Sequence, residues 1–301
     1  SQQIPITVRQ APELLLSDID EPFDPFNNCS GFSSATNYTI NINDATVDAS
    51  GMSAAQITAV NGARGKIAAD SLSNLTLTSS QSDTEIGTLL AAGAVANTSV
   101  SVNANSMSTA QLLAVNVGTA KIAANGITGA VALDASAVTA AEVTSLLGKT
   151  DAGAVVTVAA DGTIAANVLT SLSTAIAKVD TITGLQLTDT QSTAEIGNLL
   201  SKATGAVVFA DSMNADDLAA VADNAAKIAA NGVTGDVTVT SALSAAQIDA
   251  LLGKTATGAT VTVDTTGFSA AQLSAVEDNT AKVDDINNAD VILLGVSRTS
   301  K

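Results

Sequence analysis

Pairs of apolar residues separated by a single residue recur along this chain: Leu75/Leu77, Val100/Val102, Val131/Leu133, Val156/Val158, Leu185/Leu187, Val207/Phe209, Val237/Val239 and Val261/Val263. Alternation with period two puts each pair on one face of a short strand, and the many β-branched side chains favour that conformation. After each strand the period changes to that of a helix, with stripes such as Val143/Leu146/Leu147 and Ile248/Leu251/Leu252. Helices of two to three turns are marginal alone, so neighbouring units must supply their stability.

The helix starts are marked twice. Ser53-x-x-Gln56, Ser82-x-x-Glu85, Ser108-x-x-Gln111, Thr139-x-x-Glu142, Ser192-x-x-Glu195, Ser244-x-x-Gln247 and Ser269-x-x-Gln272 are capping boxes, with Asn214-x-x-Asp217 a weaker relative. Met52, Met107, Val138, Met213, Leu243 and Phe268 stand at the staple distance from Ile57, Leu112, Val143, Leu218, Ile248 and Leu273. The stretch Asp161–Leu172 lacks the box, with Thr163 followed by Ala166. Gly148 and Gly253, after leucine pairs, read as residues just beyond helix ends, with Lys149 and Lys254 near the terminal carbonyls. KIAANGITG reads as a second strand at Lys121–Ala124 and a turn at Asn125-Gly126.

The lysines of the AKI signature, at Lys66, Lys121, Lys178, Lys227 and Lys282, fall at steps of 55, 57, 49 and 55 residues. A double repeat of about 53 residues, split into halves near 30 and 23, is the signature of stacked units. The expected fold is therefore α/β: a strand–short-helix solenoid of about nine coils, with alternating long and short half-units, over residues 41–288. Strands stacked near 4.8 Å and helices packed at 8–10 Å do not match in spacing, and the alternation of half-units is expected to absorb the difference. Residues 289–301 read as a closing strand, ADVILLGV, and a polar tail.

Residues 1–40 depart from this pattern. They hold all four prolines, three of the five phenylalanines and the one cysteine, Cys29. EPFDPF cannot be helical, because proline fixes its own φ and biases its predecessor toward extended backbone. The segment reads as an extended N-terminal arm that docks onto the repeat array or a neighbouring subunit, with Pro12, Leu14, Leu15, Leu16, Pro22, Phe23, Pro25 and Phe26 as the candidate docking residues.

Composition narrows the chemistry. The net charge is −17, which opposes nucleic-acid binding. No apolar run has the length of a membrane span, so no membrane insertion is expected. One cysteine excludes an internal disulfide framework. The N-terminus shows no secretory pattern, which points to a leader already removed or to another route of release. With no histidine, catalysis would fall to carboxylates, and the pairs Asp216/Asp217, Glu277/Asp278 and Asp284/Asp285 sit where helix ends and turns explain them. No nucleotide or hydrolase motif is present, and the expected enzyme class and cofactor are none. Calcium is conceivable at Asp134, Asp161, Asp189, Asp211 and Asp264 but has no motif, and turn duty is expected of them. The outward strand row Thr76, Ser101, Ala132, Thr157, Gln186, Val208, Thr238, Thr262 is too interrupted for an ice-binding threonine ladder and suits lateral contact between subunits.

SAAQIDALLGKT, SMSTAQLLAV and KIAANGVTGDVTVT resemble the Ala/Thr/Val-rich repeats of large bacterial cell-surface proteins and of phage virion appendages, particularly those of cyanophages. The resemblance covers about residues 45–288 and implies a scaffold or adhesion role without catalytic residues. Two functions follow as expectations. One is a structural protein of an extracellular assembly, at a virion or cell surface, with homo-oligomeric or other structural partners. The other is a secreted adhesin or ligand-binding solenoid acting as a monomer.

Overall fold

The computed structural model describes residues 45–92 and 100–287. Among these residues the chain is mixed α/β, with nine α-helices and parallel strands in five separate sheets. The helices are α1 (Ala54–Gly62), α2 (Asp83–Ala92), α3 (Thr109–Val117), α4 (Ala140–Lys149), α5 (Ala166–Thr174), α6 (Thr193–Lys202), α7 (Ala215–Asp223), α8 (Ala245–Lys254) and α9 (Ala270–Asp278). Each follows a strand of its own unit, and each paired position lies about 25 residues from its partner, as in the Thr76–Ser101 hydroxyl contact. The apolar stripes meet in one continuous core, where the leucine pairs Leu89/Leu90, Leu146/Leu147, Leu199/Leu200 and Leu251/Leu252 are fully buried.

Every expected capping box is present. In seven helices both reciprocal bonds form, Asn214 included, and Ser82 with Glu85 makes the same pair ahead of α2. α5 is preceded by Ala165, which offers no side-chain cap. Because the Ala165 backbone already has the extended conformation of a cap, Ala165→Ser should stabilise the protein by about 0.5–1 kcal/mol, read as a raised denaturant midpoint.

The sheet is interrupted in a regular way. Ile127 pairs backward with Val102, whereas Leu133, further along the same path, pairs forward with Val158. Between them Gly129 turns the chain at φ 81°. The same step recurs at Asn74 (φ 51°), Gly184 (φ 67°) and Gly235 (φ 80°), ahead of α2, α6 and α8. At Asn74, Leu72 pairs back to Val47 and Leu77 forward to Val102. At Gly235, Val233 pairs back to Val208 and Val239 forward to Val263. The single stacked sheet implied by strand periodicity is thus divided at every second unit, and alternate half-units are lengthened by the 3-10 turn and strand that lead into each joint, such as Thr119–Lys121 and Ile122–Thr128.

Three local expectations change. Asn125-Gly126 is not a turn between strands: it lies inside β5 (Ile122–Thr128), where Asn125 at φ 55° makes a bulge opposite β4 (Val100–Asn103), and Lys121 belongs to the preceding 3-10 turn. Asn231 does the same in the later copy. Asparagine tolerates the left-handed backbone at the bulge, where β5 advances five residues, from Ile122 to Ile127, while β4 advances two, from Val100 to Val102.

Gly148 and Gly253 lie within the last turns of α4 and α8. Those helices are closed instead by buried Thr150 and Thr255, whose hydroxyls donate to Leu146 O (2.8 Å) and Leu251 O (2.9 Å) while their backbones bridge to Ile127 and Val233. With a carbonyl satisfied by a side chain, no left-handed residue is needed there. Lys149 and Lys254 reach the preceding unit, donating to Ile122 O and Ile228 O.

Finally, in the strand Ala206–Phe209 the inward pair is Ala206/Val208. Val207 is half-buried and Phe209 is 37% exposed, the reverse of the expected phase.

Candidate functional site

The recurring polar residues form three constellations, and each can be followed from its backbone outward. The first is the seam of helix starts. The third helical residue of a capping box accepts from the cap and also reaches the unit before it. Gln111 donates to Ser79 O (3.1 Å) and Gln81 O (2.5 Å), Gln272 to Ser241 O (3.1 Å) and Leu243 O (2.6 Å), and Gln247 to Asp223 (2.9 Å). Asp217 accepts from the Thr193 hydroxyl. Glu195 is bound by the Thr170 hydroxyl and Glu85 by that of Thr58. One side chain thus closes a helix and couples neighbouring units. Where the staple position holds glutamine, Gln81 and Gln191 are buried and accept from Thr78 N and Thr188 N.

These bonds set the protonation of the carboxylates. The Thr170 hydroxyl, followed by the Ser192 backbone N–H, holds Glu195 below the ordinary carboxylate value. The Ser82 N–H, followed by the Thr58 hydroxyl, does so for Glu85. Asn74 and Ser50 lower Asp48, and Ser136 lowers Asp134. A folded-state pKa below the unfolded one stabilises the protein above the unfolded pKa, and that contribution is lost as pH falls through the folded value. Thermal midpoints should therefore hold steady above about pH 5 and decline below about pH 4. Glu195→Gln should flatten part of that decline in a pH series of melting curves.

The second constellation lies at the joints. Asn105 Oδ1 accepts from Ala130 N (2.7 Å), and Asp211 Oδ1 from Asp236 N (2.9 Å), each taking the N–H next to a joint glycine. Asp161 lies against the joint glycine Gly184. Asp134 and Asp264 accept from the backbone N–H of Ser136 and Thr266, the turn role expected of them. In the acidic pairs, Asp284 accepts from Val261 N (2.8 Å) and Asp217 belongs to its helix cap. Among the described residues no three His, Cys, Asp or Glu side chains gather at one point. A shallow, open groove of about 430 Å3 lies between the starts of α6 and α7, lined by Asp189, Gln191, Thr193, Asn214 and Asp217. Apart from Asp189 and Thr193, whose hydroxyl donates to Asp217, these are the cap and staple groups of those two helices.

The third is the outward face of the strands. Ala132 pairs with Thr157 and Thr157 in turn with Thr181, Thr238 with Thr262, Thr76 with Ser101 and Gln186 with Val207. Val208, expected in this row, is buried, and Val207 takes its place. These positions carry no formal charge, and exposed Val155 and Phe209 add apolar surface. The row is not continuous, because its members belong to four different sheets.

The arm residues Pro12, Leu14, Leu15, Leu16, Pro22, Phe23, Pro25 and Phe26 lie outside the described residues, as does ADVILLGV. No helix among the described residues is long and apolar enough to cross a membrane. Sequence reasoning recognised the capping boxes but missed their links between units. The recurrence of Gln or Glu as the third helical residue was the available signal, although Ser/Thr-x-x-Gln already has a sufficient local explanation. Compared with known proteins, the chain matches no family model and no curated sequence.

Proposed function

We propose that this chain is a non-enzymatic structural protein of an extracellular assembly, a virion fibre or decoration or a cell-surface filament or layer, built as a solenoid of about nine coils. One observation carries the reading: among the described residues the recurring polar side chains serve as caps, joint acceptors or links between units, and no three acidic, histidine or cysteine side chains gather at one point. Evenly repeated units joined by neighbour-to-neighbour contacts suit a load-bearing or spacing role. The middle row of the strand face, Ala132, Thr157, Thr181 and Thr238, carries no formal charge and is where so acidic a chain would meet a neighbour with least repulsion. Asp134 and Asp236, in the same strands, border it. The arm at residues 1–40 is assigned to docking on that neighbour.

Electron microscopy of native source material labelled with antibody to the chain tests this. Regular decoration of particles, filaments or a surface layer is expected. Label confined to soluble, monomeric protein would overturn the reading.

A further inference from the structure

The starts of α2 and α3, of α6 and α7, and of α8 and α9 make three equivalent contacts between units, and their residues can be matched position by position. In the first, the Gln111 amide nitrogen sits between two backbone carbonyls of the preceding unit, Ser79 O and Gln81 O. In the third, Gln272 sits in the same way between Ser241 O and Leu243 O. The middle contact differs at two places. Asp217 stands where the others have glutamine, and Asp189 stands where they have Ser79 and Ser241. Both changes bring a carboxylate to one point.

A carboxylate has no N–H to give, and aspartate is a methylene shorter than glutamine. The matching carbonyls, Asp189 O and Gln191 O, therefore accept no hydrogen bond among the described residues. The open groove of about 430 Å3 lies at this point, bounded by Asp189, Gln191 and Asp217, and no lysine or arginine lines it. Asp217 is only 4% exposed. Its oxygens accept from the Thr193 hydroxyl and from Asn214 N (3.3 Å), and each keeps a lone pair for a further partner. The Asp189 carboxylate is exposed at the rim. A buried carboxylate beside two vacant carbonyls, with a second carboxylate close by, is costly unless a positive charge joins them.

We propose that a calcium ion takes the place of the missing amide, held by the Asp217 and Asp189 carboxylates and by Asp189 O and Gln191 O, and that it links the α6 unit to the α7 unit. The donors are all oxygen, which suits a hard cation and gives zinc or copper no nitrogen or sulfur. Calcium accepts six to eight oxygens in flexible geometry, so water in the open groove can complete its shell, whereas magnesium demands a strict octahedron and dehydrates reluctantly. The site belongs to a single chain and does not depend on whether copies assemble.

The test titrates calcium chloride into the metal-free full chain by calorimetry, with melting curves recorded at matched ionic strength. Calcium should bind and raise the melting midpoint, and magnesium at the same concentration should raise it less. Asp217→Gln restores the amide of the sister contacts, so it should melt at or above the calcium-free parent and no longer respond to calcium. Asp189→Ser, at an exposed position, should weaken calcium binding about ten-fold or more. A parent chain that does not respond to calcium would overturn the proposal. So would an unchanged calcium response in either variant, which would put the ion elsewhere on the acidic surface.

Discussion

Gly235→Ala is expected to destabilise the protein by about 2–4 kcal/mol, although it adds only one methyl group at a half-buried position. Two effects combine. The backbone at Gly235 sits at φ 80°, where a β-carbon costs about 1–2 kcal/mol. A β-carbon built there would also lie 2.5 Å from the Asp211 carboxylate, well inside van der Waals contact. That carboxylate accepts from Asp236 N, so moving it aside uncouples a bond between units worth about 1 kcal/mol or more. Denaturant unfolding measures the sum. The double variant Gly235→Ala/Asp211→Ala separates the parts: with the carboxylate gone the alanine should cost only its backbone strain. If Gly235→Ala costs as much in the Asp211→Ala background as alone, the crowding account is wrong.

Leu199→Ala should cost about 3 kcal/mol, within the range for a fully buried leucine whose cavity cannot collapse. Leu199 lies on the inner stripe of α6, a ten-residue helix too short to hold its shape without the core. α6 packs against both α5 and α7, so the loss of fit is felt on two sides. The control is Asn198→Ala, one residue away on the exposed side, which loses a hydrogen bond to Ser173 and should cost about 1 kcal/mol or less. Equal losses for the two would contradict the assignment of the stripe.

Much of this architecture was legible in the residues because the devices that build it are local. A capping box needs four residues, and each one expected is present. The strand pairs were phased correctly wherever a polar residue stood between two apolar ones, as in Leu75-Thr76-Leu77. The phase failed at AVVF, where every residue is apolar and period two has nothing to choose between. The helix ends failed for a different reason. Gly148 followed by Lys149 resembles a helix stop, but the stop is made by Thr150, whose backbone is claimed by a strand pairing with Ile127 far away in sequence. The partners of Gln111 and Gln272 could not be read, because they are fixed by which unit stacks on which, and only the recurrence of Gln or Glu at that position was visible. The candidate docking residues of the arm carry no repeat against which they could be checked.

The joints at Asn74, Gly129, Gly184 and Gly235 bear on how such a gene can change length. A joint falls at every second unit, and the strand pairings before and after it differ. Deleting or duplicating one unit would place two joints, or none, between successive pairings and throw the downstream ladder out of register. Recombination between copies therefore preserves the fold only when it exchanges whole double units. Lineages of this protein should differ in length by multiples of the double repeat, so that array length is inherited in discrete steps.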